Sequence, residues 1–237
     1  MVTAIIIAAG SGNRMKQDIP KQFLTVNEKP VIIYTLEAFQ KHPLIDEIEV
    51  VCLAGWEQVL WAYIRQFNIA KAVRVVEGGE CGQESIYKGL KALSEDHSKE
   101  DIVLIHDAIR PMVSEEIISD CIRETMASGC AIAVIPCAEA MLITDDGHES
   151  CEIYDRDHLK RTQTPQGFYL GKLLDVHERA LRKGITNSTA SCTLMVEMGE
   201  KVSFSKGSEK NLKLTTVEDI DIFKALLLSR RSEWLKN

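Results

Sequence analysis

A glycine-containing loop after the first apolar run of the chain is the strongest candidate for chemistry. It carries two cations, Arg14 and Lys21, and its backbone is formed by Ala8, Ala9, Gly10, Ser11 and Gly12. Small residues after a buried strand let the backbone approach a ligand closely, and successive N–H groups can form an anion-binding concavity. The spacing is neither that of a Walker A loop nor that of the dinucleotide fingerprint. The two cations predict a triphosphate site where charge at the α-phosphate is neutralised; the alternative is a glycine-rich turn with two solvated charges.

A second candidate is Asp107, which follows the apolar run Ile102–His106. A carboxylate at the C-terminal end of a central strand lies where ligands bind in open α/β sheets, and it can hold Mg²⁺ or a ribose hydroxyl. The alternative is an ion pair between Asp107 and Arg110 that shapes the loop. His106 is interpreted as a packing residue, because no second metal-type residue stands at a ligating spacing.

Four further residues are candidates for binding substrates: Gly79, Ser85, Arg156 and Lys213. The glycine-rich stretch around Gly79 could admit the edge of a nucleobase, with the Ser85 hydroxyl near the start of the following helix. An ordinary helix N-terminus explains that stretch about as well. Arg156 and Lys213 each bring a cation to the C-terminal half of the chain, where a second, phosphorylated substrate would need a clamp. Taken singly, both would be surface charges.

The segments that must position these residues alternate between short apolar runs and helical periodicity. This alternation predicts an α/β fold, with a mainly parallel sheet covered by helices on both faces. The predicted strands are Ala4–Ala8, Glu47–Leu53, Val73–Val76, Ile102–His106 and Ala131–Pro136. The predicted crossover helices are Val31–Gln40, Glu57–Phe67, Glu84–Leu93 and Glu115–Ala127.

The alternation ends after Pro136, where the polar segment Cys137–Arg161 contains a turn signal at Asp145-Asp146-Gly147. This pattern predicts a projecting β-hairpin. The later predictions are a helix, a mixed segment, two short strands and a C-terminal helix, at Leu170–Lys183, Thr189–Gly199, Lys201–Phe204, Leu212–Leu214 and Asp219–Ser229. No linker separates two domains, so 1–237 is predicted to be one domain with 137–161 as an arm.

The composition of the 237-residue chain excludes several classes of protein. Its formal net charge of −7 argues against a broad nucleic-acid surface, although a small basic pocket is compatible with it. No apolar run approaches the ~20 residues of a membrane span, and Val2–Ala9 lacks the basic region of a signal peptide. Seven cysteines without a CxxC pair indicate free thiols. We expect a cytoplasmic protein that binds neither a nucleic-acid polymer nor a membrane.

Together these residues resemble the family of cytidylyltransferases that act on polyol phosphates, whose members use 2-C-methyl-D-erythritol 4-phosphate or ribitol 5-phosphate. The resemblance runs from about Ala4 to Leu226 and rests mainly on four motifs. They are the glycine loop with its two cations, His106–Pro111, Thr164-Pro165-Gln166 and Asn211–Thr215. The resemblance implies a Rossmann-like nucleotidyltransferase domain whose β-arm embraces a second subunit, and hence a homodimer.

The resemblance also implies roles for individual residues. Arg14 and Lys21 would stabilise the transition state at the α-phosphate of CTP, while Arg156 from the arm and Lys213 would hold the polyol phosphate. Asp107 would help to place Mg²⁺ and the ribose. The nucleotide-binding residues would be Ala8, Ala9, Gly10, Ser11, Gly12, Gly79, Ser85 near the cytosine, Asp107, Arg110 and Thr189. The attacking phosphate oxygen is already anionic, so the reaction requires no strong general base.

Three positions depart from the family pattern. Gly82 stands in place of an Arg, Ala140 in place of a Thr, and Ala190-Ser191 in place of acidic residues, all around the predicted base or polyol pockets. Methylerythritol 4-phosphate, an isoprenoid precursor, is the slightly favoured acceptor substrate because of family prevalence. Ribitol 5-phosphate is near parity, because Leu212–Asp219 and Gly55-Trp56 look closer to ribitol-type members. Two alternatives are a sugar-1-phosphate nucleotidyltransferase and a non-catalytic nucleotide-binding relative.

Overall fold

A computed structural model describes residues 1–10 and 19–233, with side chains to residue 229. Ser11, Gly12 and Arg14 of the predicted phosphate loop lie outside the described residues. Within the part of the chain that is described, no helix is long and apolar enough to cross a membrane.

Strands form the centre of the molecule. They are β1 (Val2–Ala8), β2 (Thr25–Val26), β3 (Lys29–Pro30), β4 (Glu47–Cys52), β5 (Ala72–Glu77), β6 (Ile102–Asp107), β7 (Cys130–Pro136), β8 (Met141–Ile143), β9 (Glu152–Tyr154), β10 (Lys160–Tyr169) and β11 (Phe204–Lys206). The main sheet has seven strands in the order β11-β7-β10-β6-β1-β4-β5. Its pairs are parallel except for β10, which runs antiparallel to β6 and β7. The predicted α/β fold with a mainly parallel sheet is confirmed.

Helices cover both faces of this sheet. They are α1 (Val31–Lys41), α2 (Glu57–Gln66), α3 (Gly82–Leu93), α4 (Glu115–Ser128), α5 (Leu170–Arg182), α6 (Ser191–Glu197) and α7 (Val217–Glu233). Successive side chains of a strand point to opposite faces. Ile6 of β1 therefore packs in one core with Leu36 of α1, whereas its neighbour Ile5 packs in a second core with Leu90 of α3. Both faces of β1 are apolar because both are covered.

The late strand predictions differ from the structure. Leu212–Leu214 was expected to be a strand, and this prediction is wrong: the segment is a loop whose Leu214 N–H donates to the Ile109 carbonyl at 2.9 Å. The predicted strand Lys201–Phe204 shares only Phe204 with β11. The polar sequence of β10 contains no strand signal, and Pro165 lies where its pairing with β7 shifts register. Pro is tolerated in a strand at such an irregularity.

The segment after β7 contains a β-hairpin in which β8 and β9 pair antiparallel. Asp146 closes its turn, because Oδ1 accepts hydrogen bonds from the N–H groups of His148 and Glu149 at 2.9 and 3.2 Å. The apolar side chains of this arm are exposed, with Ile153 reaching 80% exposure. The arm therefore presents an apolar surface that its own subunit leaves uncovered.

Candidate active site

A pocket of about 780 Å³ opens at the carboxyl ends of the central strands, where ligands bind in open α/β sheets. The loops that follow β1, β5 and β6 meet there. The pocket is lined by these residues from the sequence prediction: Ala8, Ala9, Gly10, Lys21, Gly79, Ser85, Asp107, Arg110, Thr189 and Lys213. Of the predicted site residues that the structure describes, it leaves only Arg156 outside this lining.

A buried glutamine, Gln22, holds the loop after β1. Its Nε2 donates to the carbonyls of Ala8 and Gly10 at 2.6 and 3.1 Å. In a trans peptide the N–H points opposite to the C=O, so the bond to the Ala8 carbonyl turns the Ala9 N–H away from Gln22. The glutamine thus orients the backbone that is predicted to bind phosphate. Its role is not visible in the sequence, where it is one more polar residue beside a lysine.

A 3-10 turn, Lys21–Phe23, carries Lys21 into the lining of the pocket. The Phe23 N–H donates to the Pro20 carbonyl at 2.8 Å, which closes the turn. The Phe23 ring stacks on Trp56 with 4.6 Å between ring centroids. Packing beneath the turn therefore holds the backbone of Lys21 beside the loop after β1.

Asp107 ends β6 and lies between two cations. Its Oδ2 accepts a hydrogen bond from Arg110 Nε at 2.9 Å, and its Oδ1 lies 3.1 Å from Lys213 Nζ. Burial raises the pKa of Asp107, but Lys213 and Arg110 outweigh burial and hold that pKa below its ordinary value. Asp107 is therefore ionised at neutral pH. The two cations exceed its single charge, so the cluster can attract an anion.

A hydrogen-bond network fixes Asp107 from behind. The Thr164 hydroxyl accepts from the Asp107 N–H at 3.1 Å and lies 3.1 Å from His106 Nδ1. Asn211 Nδ2 donates to the Thr164 carbonyl at 2.8 Å, and the Asn211 carbonyl accepts from Arg110 Nη1 at 2.7 Å. Burial lowers the pKa of His106 to about 3, so this ring is neutral. The motifs that contain Thr164 and Asn211, both distant in sequence from Asp107, thus support its carboxylate.

The loop after β5 packs closely against the loop after β1. A Cβ at Gly78 would clash with the Cβ of Ala9, so only glycine fits there. The Ser85 hydroxyl accepts from the Gly79 N–H at 3.0 Å and donates to the Cys81 carbonyl at 2.8 Å. Ser85 therefore shapes the loop, and its proton is already donated within the protein.

Two of the three departures from the family pattern lie at the pocket. Gly82 begins α3, and a Cβ there would meet nothing within 4 Å. Ala190 and Ser191 line the pocket at the start of α6. The third, Ala140, is exposed in the connection to the arm. The small residue at Gly82 leaves open space beside the helix that starts there.

Arg156 lies on the arm rather than in the pocket of its own chain. It is exposed in a 3-10 turn, Arg156–His158, and its Nη1 donates to the Ala138 carbonyl at 2.5 Å. Within one subunit the structure does not bring Arg156 into the pocket lining beside Lys213. Its predicted role remains a prediction that involves a second subunit.

Asp107 is also the predicted ligand of Mg²⁺. Among the described residues, no cluster of three or more His, Cys, Asp or Glu side chains could hold a metal ion. Mg²⁺ commonly takes one or two carboxylates and completes its shell with substrate phosphates and water. A carboxylate has about four acceptor positions, and Asp107 engages Arg110 and Lys213 with one oxygen each. The residues present therefore fit a Mg²⁺ ion that arrives with a triphosphate.

A mainly parallel sheet with a cationic pocket at its carboxyl edge and a tightly packed glycine loop defines a nucleotidyltransferase. The family model described as IspD, 2-C-methyl-D-erythritol 4-phosphate cytidylyltransferase, matches residues 2–229. The chain belongs to this family. The predicted resemblance and the predicted enzyme class, a cytidylyltransferase, are confirmed.

Similar proteins carry two substrate names. A ribitol-5-phosphate cytidylyltransferase of Lacticaseibacillus paracasei is 43% identical over 229 residues, which is 96% of this chain and 98% of that protein. A 2-C-methyl-D-erythritol 4-phosphate cytidylyltransferase of Clostridium botulinum is 38% identical over 225 residues, 95% of this chain and 96% of that protein. The crystal structure of 4-diphosphocytidyl-2C-methyl-D-erythritol synthase from Anaerococcus prevotii superimposes with a TM-score of 0.81 at 29% identity, covering 96% of this chain and 98% of that one.

Proposed function

We propose that the protein transfers the cytidylyl group of CTP to ribitol 5-phosphate and releases pyrophosphate. The observation that carries this proposal is the presence of Lys21, Arg110 and Lys213 in one pocket, with Asp107 between two of them. A triphosphate and a phosphate monoester both bring negative charge to the place where they react. Cations fixed there bind both substrates and neutralise the charge that develops.

The choice of ribitol 5-phosphate rests on similarity. The Lacticaseibacillus paracasei relative named for ribitol is 43% identical to this chain, and the Clostridium botulinum relative named for methylerythritol is 38% identical. This order agrees with the ribitol-like segments of the sequence and differs from the order that family prevalence favours. Methylerythritol 4-phosphate is the second candidate, and with it a place in isoprenoid precursor synthesis.

In the proposed reaction, an oxygen of the acceptor phosphate attacks the α-phosphorus of CTP in line. The new P–O bond forms as the bond from the α-phosphorus to the bridging oxygen breaks, and the electron pair leaves with pyrophosphate. Because the attacking oxygen is already anionic, the protein contributes position and charge neutralisation rather than a base. Burial lowers the pKa of His106 to about 3, so this ring is too weak a base to take up a proton at neutral pH, which is consistent with a site that needs no proton acceptor.

Lys21 and the loop after β1 hold the triphosphate in this proposal. Gln22 orients the Ala9 N–H, and Arg14 adds a second cation to the loop. Lys213, oriented by Asp107, holds the acceptor phosphate. Asp107 would hold a Mg²⁺ ion that arrives with the triphosphate, and that ion would supply further neutralisation of the phosphate charge. Gly79, Ser85 and Thr189 frame the nucleoside, with Arg110 locking the carboxylate at the floor of the pocket.

We also propose that the arm completes the site in a homodimer. Its exposed apolar side chains need cover, and Arg156 lies outside the pocket lining of its own chain. An arm that crosses to a second subunit buries the apolar surface and brings Arg156 to the partner's acceptor phosphate. Since a two-fold dimer interface is used twice, each subunit completes the site of the other.

The proposed location is the cytoplasm. All seven cysteines are free in the structure. Thiols persist in reducing compartments, whereas exported proteins commonly pair theirs. We propose that the protein binds neither a nucleic-acid polymer nor a membrane.

The decisive experiment measures pyrophosphate release with CTP and a panel of acceptors: ribitol 5-phosphate, methylerythritol 4-phosphate and unphosphorylated ribitol. We expect the highest kcat/KM with ribitol 5-phosphate and no turnover with ribitol, because ribitol lacks the phosphate oxygen that attacks the α-phosphorus. Higher efficiency with methylerythritol 4-phosphate would favour the second candidate. Absence of turnover with every polyol phosphate would refute the proposal.

The arm is tested by mixing two inactive variants, Arg156→Ala and Lys213→Ala. If Arg156 acts on the partner's site, mixed dimers regain one intact site, and roughly a quarter of the wild-type activity returns under random exchange. No recovery after verified exchange would refute the assignment of Arg156 to the partner's site. Light scattering at micromolar concentration should give the mass of a dimer, and a monomer would contradict the proposed assembly.

A further inference from the structure

A buried glutamine in the irregular part of β10, Gln163, makes three hydrogen bonds to one turn of the chain. It lies where the pairing of β10 with β7 shifts register, and it is 6% exposed. Its Nε2 donates to the Ser208 carbonyl at 2.9 Å, and its Oε1 accepts from the Ser208 N–H at 3.1 Å. Oε1 also accepts from Asn211 Nδ2 at 3.3 Å. The side-chain amide thus pairs with both backbone groups of Ser208, as a neighbouring strand would.

The turn that Gln163 holds follows the last strand of the sheet. The Gly207 N–H donates to the Val134 carbonyl of β7 at 2.9 Å, directly after β11 ends. The Asn211 N–H then donates to the Ser208 carbonyl at 2.9 Å and closes the turn. A Cβ at Gly207 would lie 2.6 Å from Gln163 Oε1, so the turn packs directly on the amide.

This turn leads into Lys213, whose direction depends on its neighbours. The Lys213 side chain is 44% exposed, and its Nζ lies 3.1 Å from Asp107 Oδ1. Asn211 before it is fully buried, and Leu214 after it is buried and bonded to the Ile109 carbonyl. A long side chain that is half exposed keeps much of its rotamer freedom, so the anchored backbone decides where it can reach. Gln163 acts on the anchor that precedes the lysine.

Gln163 lines the pocket, but its amide faces the turn. A side-chain amide oxygen has two acceptor positions, and the Ser208 N–H and Asn211 Nδ2 occupy both. Gln163 therefore acts through the turn rather than on a substrate. Its arrangement parallels that of Gln22, the buried glutamine that holds the loop after β1 through the carbonyls of Ala8 and Gly10.

We propose that Gln163 is a positioning residue for the acceptor phosphate. Its amide fixes the turn at 208–211 and thereby the point from which Lys213 enters the pocket. The assignment of the acceptor to Lys213 rests on the proposed function. Two buried glutamines then divide the work: Gln22 sets the backbone on the triphosphate side, and Gln163 sets it on the acceptor side.

The test replaces each glutamine by methionine, which keeps the length of the side chain and removes its hydrogen bonds. In Gln163→Met the KM for ribitol 5-phosphate at saturating CTP should rise about 5- to 10-fold, the scale of losing a neutral hydrogen bond. The Kd for CTP from calorimetric titration should stay within about twofold. Gln22→Met is the matched control and should show the reverse pattern, with weaker CTP binding and an acceptor KM within about twofold.

A second variant and a second measurement approach the same contact from the turn. Gly207→Ala pushes the turn off Gln163 and should also raise the acceptor KM with CTP binding unchanged. Hydrogen exchange followed by mass spectrometry on the ligand-free proteins should show faster exchange in the peptide covering 207–214 of both variants. Exchange in β1 and β6 should stay at the wild-type rate.

An unchanged acceptor KM in both Gln163→Met and Gly207→Ala would overturn the inference. So would an equal loss of CTP and acceptor binding in Gln163→Met, or faster exchange throughout the sheet, because either marks a general structural role. A wild-type protein that turns over no polyol phosphate would overturn the proposed function. The exchange rates at 207–214 would still show whether Gln163 anchors this segment, which keeps the two failures distinguishable.

Discussion

Two carboxylates on the same sheet, the half-buried Asp107 and the fully buried Glu49, have pKa values shifted in opposite directions. Asp107, at the end of β6, lies within 2.9 and 3.1 Å of two cations, and its pKa is held below the ordinary value. Glu49, within β4, is 0% exposed, and neither of its oxygens has a hydrogen bond. Arg74 Nη1 is 3.6 Å from Glu49 Oε2. Burial raises the pKa of Glu49 to about 8 in spite of Arg74, so this group is mostly protonated at neutral pH.

The difference follows from position in the fold. Asp107 lies at the carboxyl edge, where its charge orients Arg110 and Lys213 in the pocket that we propose binds the phosphates. Glu49 lies under α3, where Gly89 approaches it closely. The carboxylate keeps its charge where two cations flank it, and it is protonated where no cation comes within hydrogen-bond distance. A perturbed pKa by itself therefore does not identify the active site of this protein.

Of the changes that test this comparison, replacing Asp107 by Asn should have the largest effect, and the quantity that falls is kcat/KM. The neutral amide keeps the shape but no longer orients the two cations, so kcat/KM should fall about 10²- to 10³-fold, as for loss of one preorganised charge contact. Steady-state kinetics with both substrates measures this. Glu49→Gln is the control and should stay close to wild-type activity. A similar loss in both variants would erase the functional distinction between the two carboxylates.

Glu49→Gln should instead change the pH dependence of stability. The folded pKa of Glu49 is about 8 against an ordinary 4.5, so unfolding releases a proton between these values. The stability from its protonated form is fully present below the unfolded pKa and is lost as pH rises through the folded one. Between about pH 5 and pH 8 the free energy of unfolding of Glu49→Gln should gain roughly 2–4 kcal/mol relative to wild type. Urea titrations at both pH values test this, and parallel curves would contradict it.

Gly89→Ala should test how tightly Glu49 is enclosed. A Cβ at Gly89 would lie 2.7 Å from Glu49 Oε1 and 2.9 Å from Val51 Cγ2. Overpacking of this kind should cost about 1–3 kcal/mol in the free energy of unfolding. Gly82→Ala on the same helix is the matched control, because a Cβ there meets nothing within 4 Å. Equal stability of the two variants would show that the space around Glu49 adapts.

The smallest effect should come from Thr164→Val, which removes the hydroxyl that accepts from the Asp107 N–H and leaves the charge of Asp107 unchanged. The Asp107 N–H loses its acceptor, at a cost of about 1 kcal/mol, so kcat/KM should fall roughly 5-fold. Thr164→Ser keeps the hydroxyl and should restore most of the activity. If Val and Ser behave alike, the hydroxyl does not position Asp107.

The regular part of the fold could be predicted because its signals are local. The strand Val2–Ala8 is buried on both faces, so its continuous apolar run is visible without knowledge of the fold. The strand Lys160–Tyr169 lacks such a run, since it begins with two exposed cations and continues with polar residues that line the pocket. Pairing with β6 and β7 makes it a strand, and pairing is not a property of its own sequence.

The site could be predicted in part for the same reason. Lys21, Asp107 and Lys213 are revealed by charge next to a strand end or a motif. Gln22 is not, because a buried amide has the same letter as an exposed one. Its importance depends on the backbone carbonyls that the fold places beside it.

The contacts of Asn211 and Leu214 have a consequence for folding. Through them the segment that carries Lys213 is tied to the loop after β6, about one hundred residues earlier in the chain. Closing so long a loop is slow compared with forming a helix, and a segment held by a few hydrogen bonds opens before the core does. Leu214 is also buried in an apolar cluster with Val31 and Phe223, so packing strengthens this docking. We expect the docking to form late in folding and the placement of Lys213 beside Asp107 to depend on it.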